Sequence, residues 1–308
     1  MSMYQSSAWQ YRELLRQSSQ KQREASVLVG SGALRECGGG TFADWESILH
    51  FTADYLGVKH EPQLASSQPT IAWETLLRQA ARVRDQQASA CEADARRFVS
   101  GLIKEGDRQI DSRLSGGEGT ALRSLIDRRN PRSVITLNFT PMPFCPLDCK
   151  PASTGDIVEY RSKDRSVWCL HGSHADPDQL RLGIVRYAAL VAKFADWRNE
   201  YRMHLGDQLT LDVRDPQLCP QHRFVADVLE SPLLIAGCGL RSAEWTLWWL
   251  LASKARNEAR RDSCPSAFIT ADKVDDSQRL ALEGLHCKTI TVPHHSDVWS
   301  TLDFLLER

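Results

Sequence analysis

Residues 27–34, with the sequence Val-Leu-Val-Gly-Ser-Gly-Ala-Leu, place a short β-branched run directly before a turn of small residues. This pattern predicts a buried strand that ends at Gly30 and is followed by a sharp turn. Glycine in such a turn permits positive φ angles and a close approach of the backbone to a ligand, so that successive N–H groups can face an anion. Turns of this kind are also common without any ligand. The stretch therefore predicts a strand and a turn, and leaves phosphate binding open.

Short apolar runs recur along the rest of the chain and alternate with helical patterns. Strands are predicted over residues 134–137, 167–170, 233–236, 267–270 and 288–292, and helices over residues 47–55, 245–261, 277–285 and 296–306. This alternation indicates an α/β fold in which a mostly parallel sheet is covered by helices on both faces.

A polar segment at about residues 61–130 interrupts this alternation. Within it, Ala72 to Lys104 has apolar residues at helical spacing among many charged ones, and a further helix is predicted over residues 120–129. We interpret the segment as a helical insertion whose charged side chains form a solvated face. The chain as a whole, residues 1–308, is expected to form a single domain.

Composition and charge restrict the classes of partner. Of the 308 residues 42% are hydrophobic and 25% are charged, and 38 basic residues stand against 39 acidic ones, for a formal net charge of -1. A chain without net positive charge has no overall field that attracts nucleic acid or an anionic membrane, so direct nucleic-acid binding is disfavoured. The chain has no apolar run of about 18 residues, and residues 1–22 are polar. We therefore expect no membrane span and a cytoplasmic location.

The 9 cysteines are an odd number scattered through the chain, which predicts free thiols rather than a disulfide framework. Cys145 and Cys149 are the only close pair. Together with Cys169 they lack the second close pair that a structural zinc site needs. We therefore predict no metal.

Asn138 and His171 each stand directly after a predicted strand. In open α/β sheets, ligands lie beyond the carboxyl ends of the strands, where the turn at Gly30 is also expected. A second glycine turn, Gly-Cys-Gly-Leu at residues 237–240, follows another predicted strand. A single asparagine after a strand is usually a turn residue, and a single histidine is usually structural. Their coincidence with the glycine turns at one sheet edge predicts a shared cleft.

The motifs Val-Gly-Ser-Gly-Ala at 29–33, Ile-Thr-Leu-Asn at 135–138, Leu-His-Gly-Ser at 170–173 and Leu-Ile-Ala-Gly-Cys-Gly-Leu at 234–240 form an ordered set. In order and approximate spacing, this set resembles the sirtuin-like NAD-consuming domains of bacterial anti-phage systems, over residues 27 to 306. The resemblance implies a Rossmann-like fold. It also implies that NAD+ is the substrate and that the protein hydrolyses it to nicotinamide and ADP-ribose.

By the same resemblance, Asn138 would hold the nicotinamide ribose, and His171 would be the catalytic base or the group that orients the ribose. Contacts to NAD+ would come from the two glycine turns and from the helix after the first of them, through Gly30, Ser31, Gly32, Ala33, Trp45, Gly237, Gly239 and Leu240. A histidine that titrates near neutrality can accept a proton from a ribose hydroxyl or from water. No metal is required.

Three departures from the family pattern bear on this function. Thr140 stands where members of the family often have aspartate, so a carboxylate that helps to bind the ribose or nicotinamide is missing. Residues 241–243, Arg-Ser-Ala, replace the commoner Ser-Asp pair. The paired-cysteine zinc module of protein-deacylating sirtuins is also missing. A non-catalytic nucleotide-binding module and, more distantly, an NAD-dependent protein deacylase therefore remain as alternatives.

The resemblance also implies partners. The sequence has no obvious sensor, so a separate protein, such as an ATPase of the same defence system, would control a toxic NAD hydrolase. Trp73, Leu76 and Phe98 would give the insertion a surface for self-association, and homo-oligomers are a common form of assembly. We therefore expect a homo-oligomer.

Overall fold

The structure, a computed structural model, describes residues 3–20, 24–39, 44–162, 165–205, 218–241, 243–258 and 264–307. The strands in these ranges are β1 (Ser26–Val29), β2 (Ser133–Thr136), β3 (Pro151–Thr154), β4 (Val158–Ser162), β5 (Arg165–Cys169), β6 (Leu233–Ala236), β7 (Ser266–Thr270) and β8 (Cys287–Thr291). The helices are α1 (Met3–Gln20), α2 (Ser31–Glu36), α3 (Trp45–Leu56), α4 (Pro62–Ser67), α5 (Pro69–Arg84), α6 (Ala88–Ser115), α7 (Thr120–Arg129), α8 (Ile184–Leu205), α9 (Pro220–Leu229), α10 (Trp245–Glu258), α11 (Asp276–Gly284) and α12 (His295–Leu306).

The strands form one eight-stranded sheet in the order β3-β4-β5-β2-β1-β6-β7-β8. The six strands from β5 to β8 are parallel, whereas β3 and β4 pair antiparallel with each other and with β5. The mostly parallel α/β fold expected from the alternation is thus confirmed. The β3–β4 hairpin was not predicted, because β3 alternates half-buried and exposed residues and contains no apolar run.

The chain reverses its direction of travel across the sheet at β1. It proceeds from β1 to β2 and β5, then crosses back to β6 on the other side of β1. A crevice opens at such a reversal, outside the carboxyl ends of the strands, and ligands of Rossmann-like folds bind in it. In this protein the reversal lies between β1 and β6, so it is flanked by the two glycine turns.

Helices cover both faces of the sheet. Alternate residues of a strand point to opposite faces, and in β1 Val27 and Val29 join one apolar cluster while Leu28 joins the other. The first cluster is completed by α1, α7 and α12, and the second by α8, α9, α10 and α11. The predicted helix over 245–261 corresponds to α10, and its last three residues lie outside the described ranges.

The helices α4 to α7 span residues 62–129 and form the expected insertion. The helices α3 to α6 enclose an apolar cluster of their own, which also includes Phe139 and Leu182 from the loops after β2 and β5. Trp73 and Leu76 are 1% and 4% exposed within this cluster. The expectation that they form a self-association surface is therefore wrong, because α3 and α6 pack over the face that carries them. Phe98 is half-buried and stacks on Tyr55, with 4.2 Å between the ring centroids.

Two sequence expectations concern the chain as a whole. All 9 cysteines have free thiols. In the part of the chain that the structure describes, no helix is both long enough and apolar enough to cross a membrane.

Candidate functional site

A cleft lies at the carboxyl ends of β1, β2, β5 and β6, where the topology places a ligand site. Of the residues predicted to form the site, Gly30, Ser31, Trp45, Asn138, His171 and Gly239 line this cleft. Gly32, Ala33, Gly237 and Leu240 are close by in the chain but are not part of its lining. The expectation that the strand ends share one cleft is therefore confirmed for both proposed catalytic residues.

Gly30 and Gly32 bring the two glycine turns into direct contact. A Cβ atom at Gly30 would lie 2.4 Å from the Cβ of Cys238, and one at Gly32 would lie 2.8 Å from the Cα of Gly237. The N–H of Gly32 donates a hydrogen bond of 2.8 Å to the carbonyl of Gly237. Glycine is required here because no side chain fits between the backbones.

The N–H groups of the first turn are largely engaged in backbone hydrogen bonds. Gly30 donates to Ala236 at 3.2 Å, and Ala33 donates to Gly30 at 3.1 Å. Gly32 also donates a hydrogen bond, as described above. Ser31, the first residue of α2, is therefore the residue of this turn that remains to face the cleft with its N–H and side chain. The structure thus gives Gly32 and Ala33 packing roles, and their predicted phosphate contacts stay a prediction.

Asn138 links the ends of β1 and β2. Its side-chain amide donates a 3.1 Å hydrogen bond to the carbonyl of Gly30, and its backbone N–H donates one of 3.1 Å to the hydroxyl of Thr136. The bond to Gly30 holds the side chain in place, and Asn138 is 6% exposed. Its carbonyl oxygen is left as an acceptor for a ligand that enters the cleft.

His171 is buried in a hydrogen-bond network, with 1% of its surface exposed. Nδ1 lies 3.2 Å from the carbonyl of Leu137 and 3.1 Å from the hydroxyl of Tyr187, and Nε2 lies 3.0 Å from the hydroxyl of Thr246. Since a carbonyl can only accept, Nδ1 carries the proton and Nε2 accepts from Thr246. Both ring nitrogens are therefore paired.

Burial lowers the pKa of His171 to about 3, and the positive charge of Arg181 lowers it further against the opposing effect of the Leu137 hydrogen bond. The expectation that this histidine titrates near neutrality is wrong for the arrangement in the structure, because an imidazolium would lose its hydration without gaining an anionic partner. A neutral, fixed imidazole is better suited to orient a ribose hydroxyl than to accept its proton.

Glu244 stands directly before α10 and was not among the residues predicted to form the site. It lines the cleft beside Cys238 and Gly239. Burial raises its pKa to about 7, against the opposing charge of Arg241, and its Oε2 has no hydrogen-bond partner within the described ranges. A carboxyl group that titrates near neutral pH in a cleft is the kind of group that transfers protons in catalysis.

Asp107 provides a second carboxyl group next to the cleft, from the helical insertion. The hydroxyl of Thr140, which lines the cleft, donates a 2.7 Å hydrogen bond to its Oδ2. Burial raises the pKa of Asp107 to about 7, against the effect of this bond. α6 thus places a carboxyl group beside Thr140, one side chain behind the wall of the cleft. No local motif could reveal it, because the two residues are 33 positions apart.

The cleft is small, with a volume of about 90 Å³. Pockets for small molecules usually measure about 300–1,000 Å³. Trp45 and Phe139, in edge-to-face contact with 5.6 Å between their centroids, form part of its wall. A whole dinucleotide can therefore enter only if part of the wall of the cleft moves.

In comparisons with known proteins, neither a scan against protein-family models nor a search of curated proteins gave a match. The fold and the position of the cleft define a Rossmann-like α/β protein with a cleft at the carboxyl edge of its sheet. Position 242, which follows the second glycine turn, lies outside the described ranges.

The described residues contain no group of three or more His, Cys, Asp or Glu side chains arranged to hold a metal ion.

Proposed function

We propose that this protein is a sirtuin-like NAD+ hydrolase that cleaves NAD+ to nicotinamide and ADP-ribose, as an effector of a bacterial anti-phage system. The observation that carries the proposal is that Asn138 and His171, from two neighbouring strands, line one cleft together with the glycine turn of β1. This is the set of groups that the sequence resemblance assigns to catalysis and NAD+ binding.

In the proposed reaction, water attacks C1′ of the nicotinamide ribose, and the bond between this carbon and the nicotinamide nitrogen breaks. The electron pair of that bond stays on nicotinamide, which leaves as a neutral molecule. The side-chain oxygen of Asn138 accepts a hydrogen bond from a ribose hydroxyl or from the water. His171 holds the ribose once its Nε2 exchanges the hydrogen bond from Thr246 for one from a ribose hydroxyl. Glu244, in its ionised form, accepts the proton that the water loses.

The proposal is tested by following nicotinamide release from NAD+. Asn138→Ala should lower turnover by up to about 10²-fold, because misplacing the ribose relative to the reacting groups lowers the rate by up to this factor. His171→Ala should lower it by a similar factor, because His171 is also proposed to position the ribose rather than to take up its proton. His295→Ala, on an exposed histidine that does not line the cleft, is the matched control and should leave turnover unchanged.

The measurements are made with any activating partner present, because a toxic hydrolase is expected to be silent without its trigger. Turnover at the unmutated rate in both cleft variants would contradict the roles given to Asn138 and His171. Absence of nicotinamide release from the unmutated protein in the active assembly would contradict hydrolysis altogether.

A second candidate function is a nucleotide-binding module without catalysis. It is favoured by the neutral His171, both of whose ring nitrogens are already paired. Such a module would bind NAD+ without releasing nicotinamide, and both cleft variants would lower its affinity. A protein deacylase is a more distant alternative, because it needs an open groove for a peptide beside the cleft.

The proposal also includes the cellular setting. The chain acts in the cytoplasm as a homo-oligomer, and a separate protein, such as an ATPase, controls it. It makes no direct contact with nucleic acid or a membrane. NAD+ is a substrate in this proposal, and no metal takes part.

A further inference from the structure

A second cavity, of about 250 Å³, lies apart from the cleft. It is bounded by Asp156 before β4, by the short 3-10 turn Pro177–Gln179, by Arg181, and by Arg186 and Lys193 in the first turns of α8. We call it the arginine cavity. It shares no lining residue with the cleft, so the function proposed for the cleft does not account for it.

Arg181 is a buried cation in the wall of the arginine cavity, with 7% of its surface exposed. Its Nη2 donates a hydrogen bond to the backbone carbonyl of Asp156, but its Nη1 has no hydrogen-bond partner among the described residues. Burial lowers the pKa of Arg181 to about 10. The negative charge of Asp156 opposes this effect, and the nearby positive charge of Arg186 adds to it. A buried guanidinium with an unpaired N–H is costly unless an acceptor completes its hydrogen bonds.

The carboxylates of the arginine cavity are already paired with other cations. Lys193 binds the carboxylate of Asp156, and Arg96 lies 3.2 Å from a carboxylate oxygen of Asp178. Arg186 donates a 2.5 Å hydrogen bond to Glu92 outside the cavity. Arg181 is thus the one cation in the lining without a carboxylate partner among the described residues, and the paired aspartates are not available to a metal cation.

We infer that the arginine cavity binds a small phosphorylated metabolite, whose phosphate group accepts hydrogen bonds from Nη1 of Arg181 and is further attracted by Lys193. A phosphate oxygen is a strong acceptor, and the planar fork of arginine matches its geometry. The volume of about 250 Å³ leaves room for a phosphate and a sugar-sized group, but is below that of pockets for larger ligands.

The inference is tested by calorimetric titration of the full chain, without NAD+, with three probes: ribose 5-phosphate, inorganic phosphate and ribose. Ribose 5-phosphate should bind, and ribose should not. Arg181→Gln should weaken binding by about 10-fold or more, the cost of a lost hydrogen bond to a charged group. Arg108→Gln, which changes an exposed arginine on α6 in the same way, should have no effect.

A second variant is needed in case Arg181→Gln disturbs the fold. Arg181 is buried, and its backbone N–H donates a 2.9 Å hydrogen bond to the carbonyl of His171. Lys193 is 45% exposed, so its replacement does not threaten the fold. Lys193→Gln should weaken ribose 5-phosphate binding by about 2- to 5-fold, as expected for a partly exposed charge.

Four results would overturn all or part of the inference. One is that neither phosphate probe binds with a dissociation constant below about 10 mM, because weaker binding does not indicate a specific site. Another is equal affinity in the unmutated, Arg181→Gln and Lys193→Gln proteins, which would place the phosphate elsewhere. The third is equal binding of ribose and ribose 5-phosphate. Tighter binding of ribose 5-phosphate than of inorganic phosphate supports a metabolite, whereas the reverse order overturns the sugar-sized part of the ligand.

Discussion

Among the residues that line the cleft, Glu244 combines an unpaired carboxylate oxygen with a pKa of about 7. If its ionised form accepts the proton from water, nicotinamide release should increase as the pH rises through about 7, because the ionised fraction then increases. Glu244→Gln should lower the rate by about 10²-fold or more and should remove this rise. The pH profile of turnover is the measurement that separates this role from a structural one.

Glu283→Gln on α11 is the matched control for Glu244→Gln, because it removes an exposed carboxylate from another helix. Its pH profile should coincide with that of the unmutated protein. A Glu244→Gln protein that keeps the unmutated rate and pH profile would show that another group accepts the proton.

The hydrogen bond between Asp107 and Thr140 joins α6 of the insertion to the loop after β2. In the unfolded chain Asp107 loses its proton near pH 4, whereas in the folded protein its pKa is about 7. Between these pH values the unfolded state binds fewer protons, so the free energy of unfolding decreases as the pH rises from about 4 to about 7. The pKa difference of about 3 limits this loss to about 4 kcal/mol.

Asp107→Asn keeps the size of the side chain but removes its titration. We expect the variant to lose less stability than the unmutated protein when the pH rises from about 4 to about 7. Urea unfolding over this pH range measures the difference. Asp111→Asn, four residues later on α6, is the control and should follow the unmutated protein. An unchanged slope in Asp107→Asn would show that the folded-state pKa of Asp107 is not raised.

For the whole molecule, we expect a homo-oligomer. Its contact surface cannot be formed by Trp73 and Leu76, because both are buried. Val83 on α5 is 68% exposed and is an apolar residue that the insertion presents to solvent. We expect light scattering to give a multiple of the single-chain mass, and Val83→Asp to shift it to the monomer. Leu280→Asp on α11, where the leucine is 69% exposed, should not do so. A monomer of the unmutated protein at micromolar concentration, with and without its partner, would contradict the expectation.

Much of the architecture followed from local patterns. The β-branched runs before Gly30, Asn138 and His171 each became a central strand, because a parallel sheet buried on both faces requires continuous apolar runs. The amphipathic pattern of α1 and the helix α9 were not recognised from the sequence. Among the cleft residues, those that stand at the end of a strand were predictable, since strand ends meet at one edge of the sheet.

The amino-acid sequence by itself determined the six parallel strands and their order along the chain, the two glycine turns, and the position of Asn138 and His171 at one edge of the sheet. The tertiary structure decided the chemistry of the cleft. It brought Asp107 to Thr140 and Glu244 to the cleft, and it buried His171 so that its pKa is about 3. The physical reason is that a pKa depends on desolvation and on neighbouring charges in space. Those neighbours come from distant parts of the chain, so no local pattern contains them.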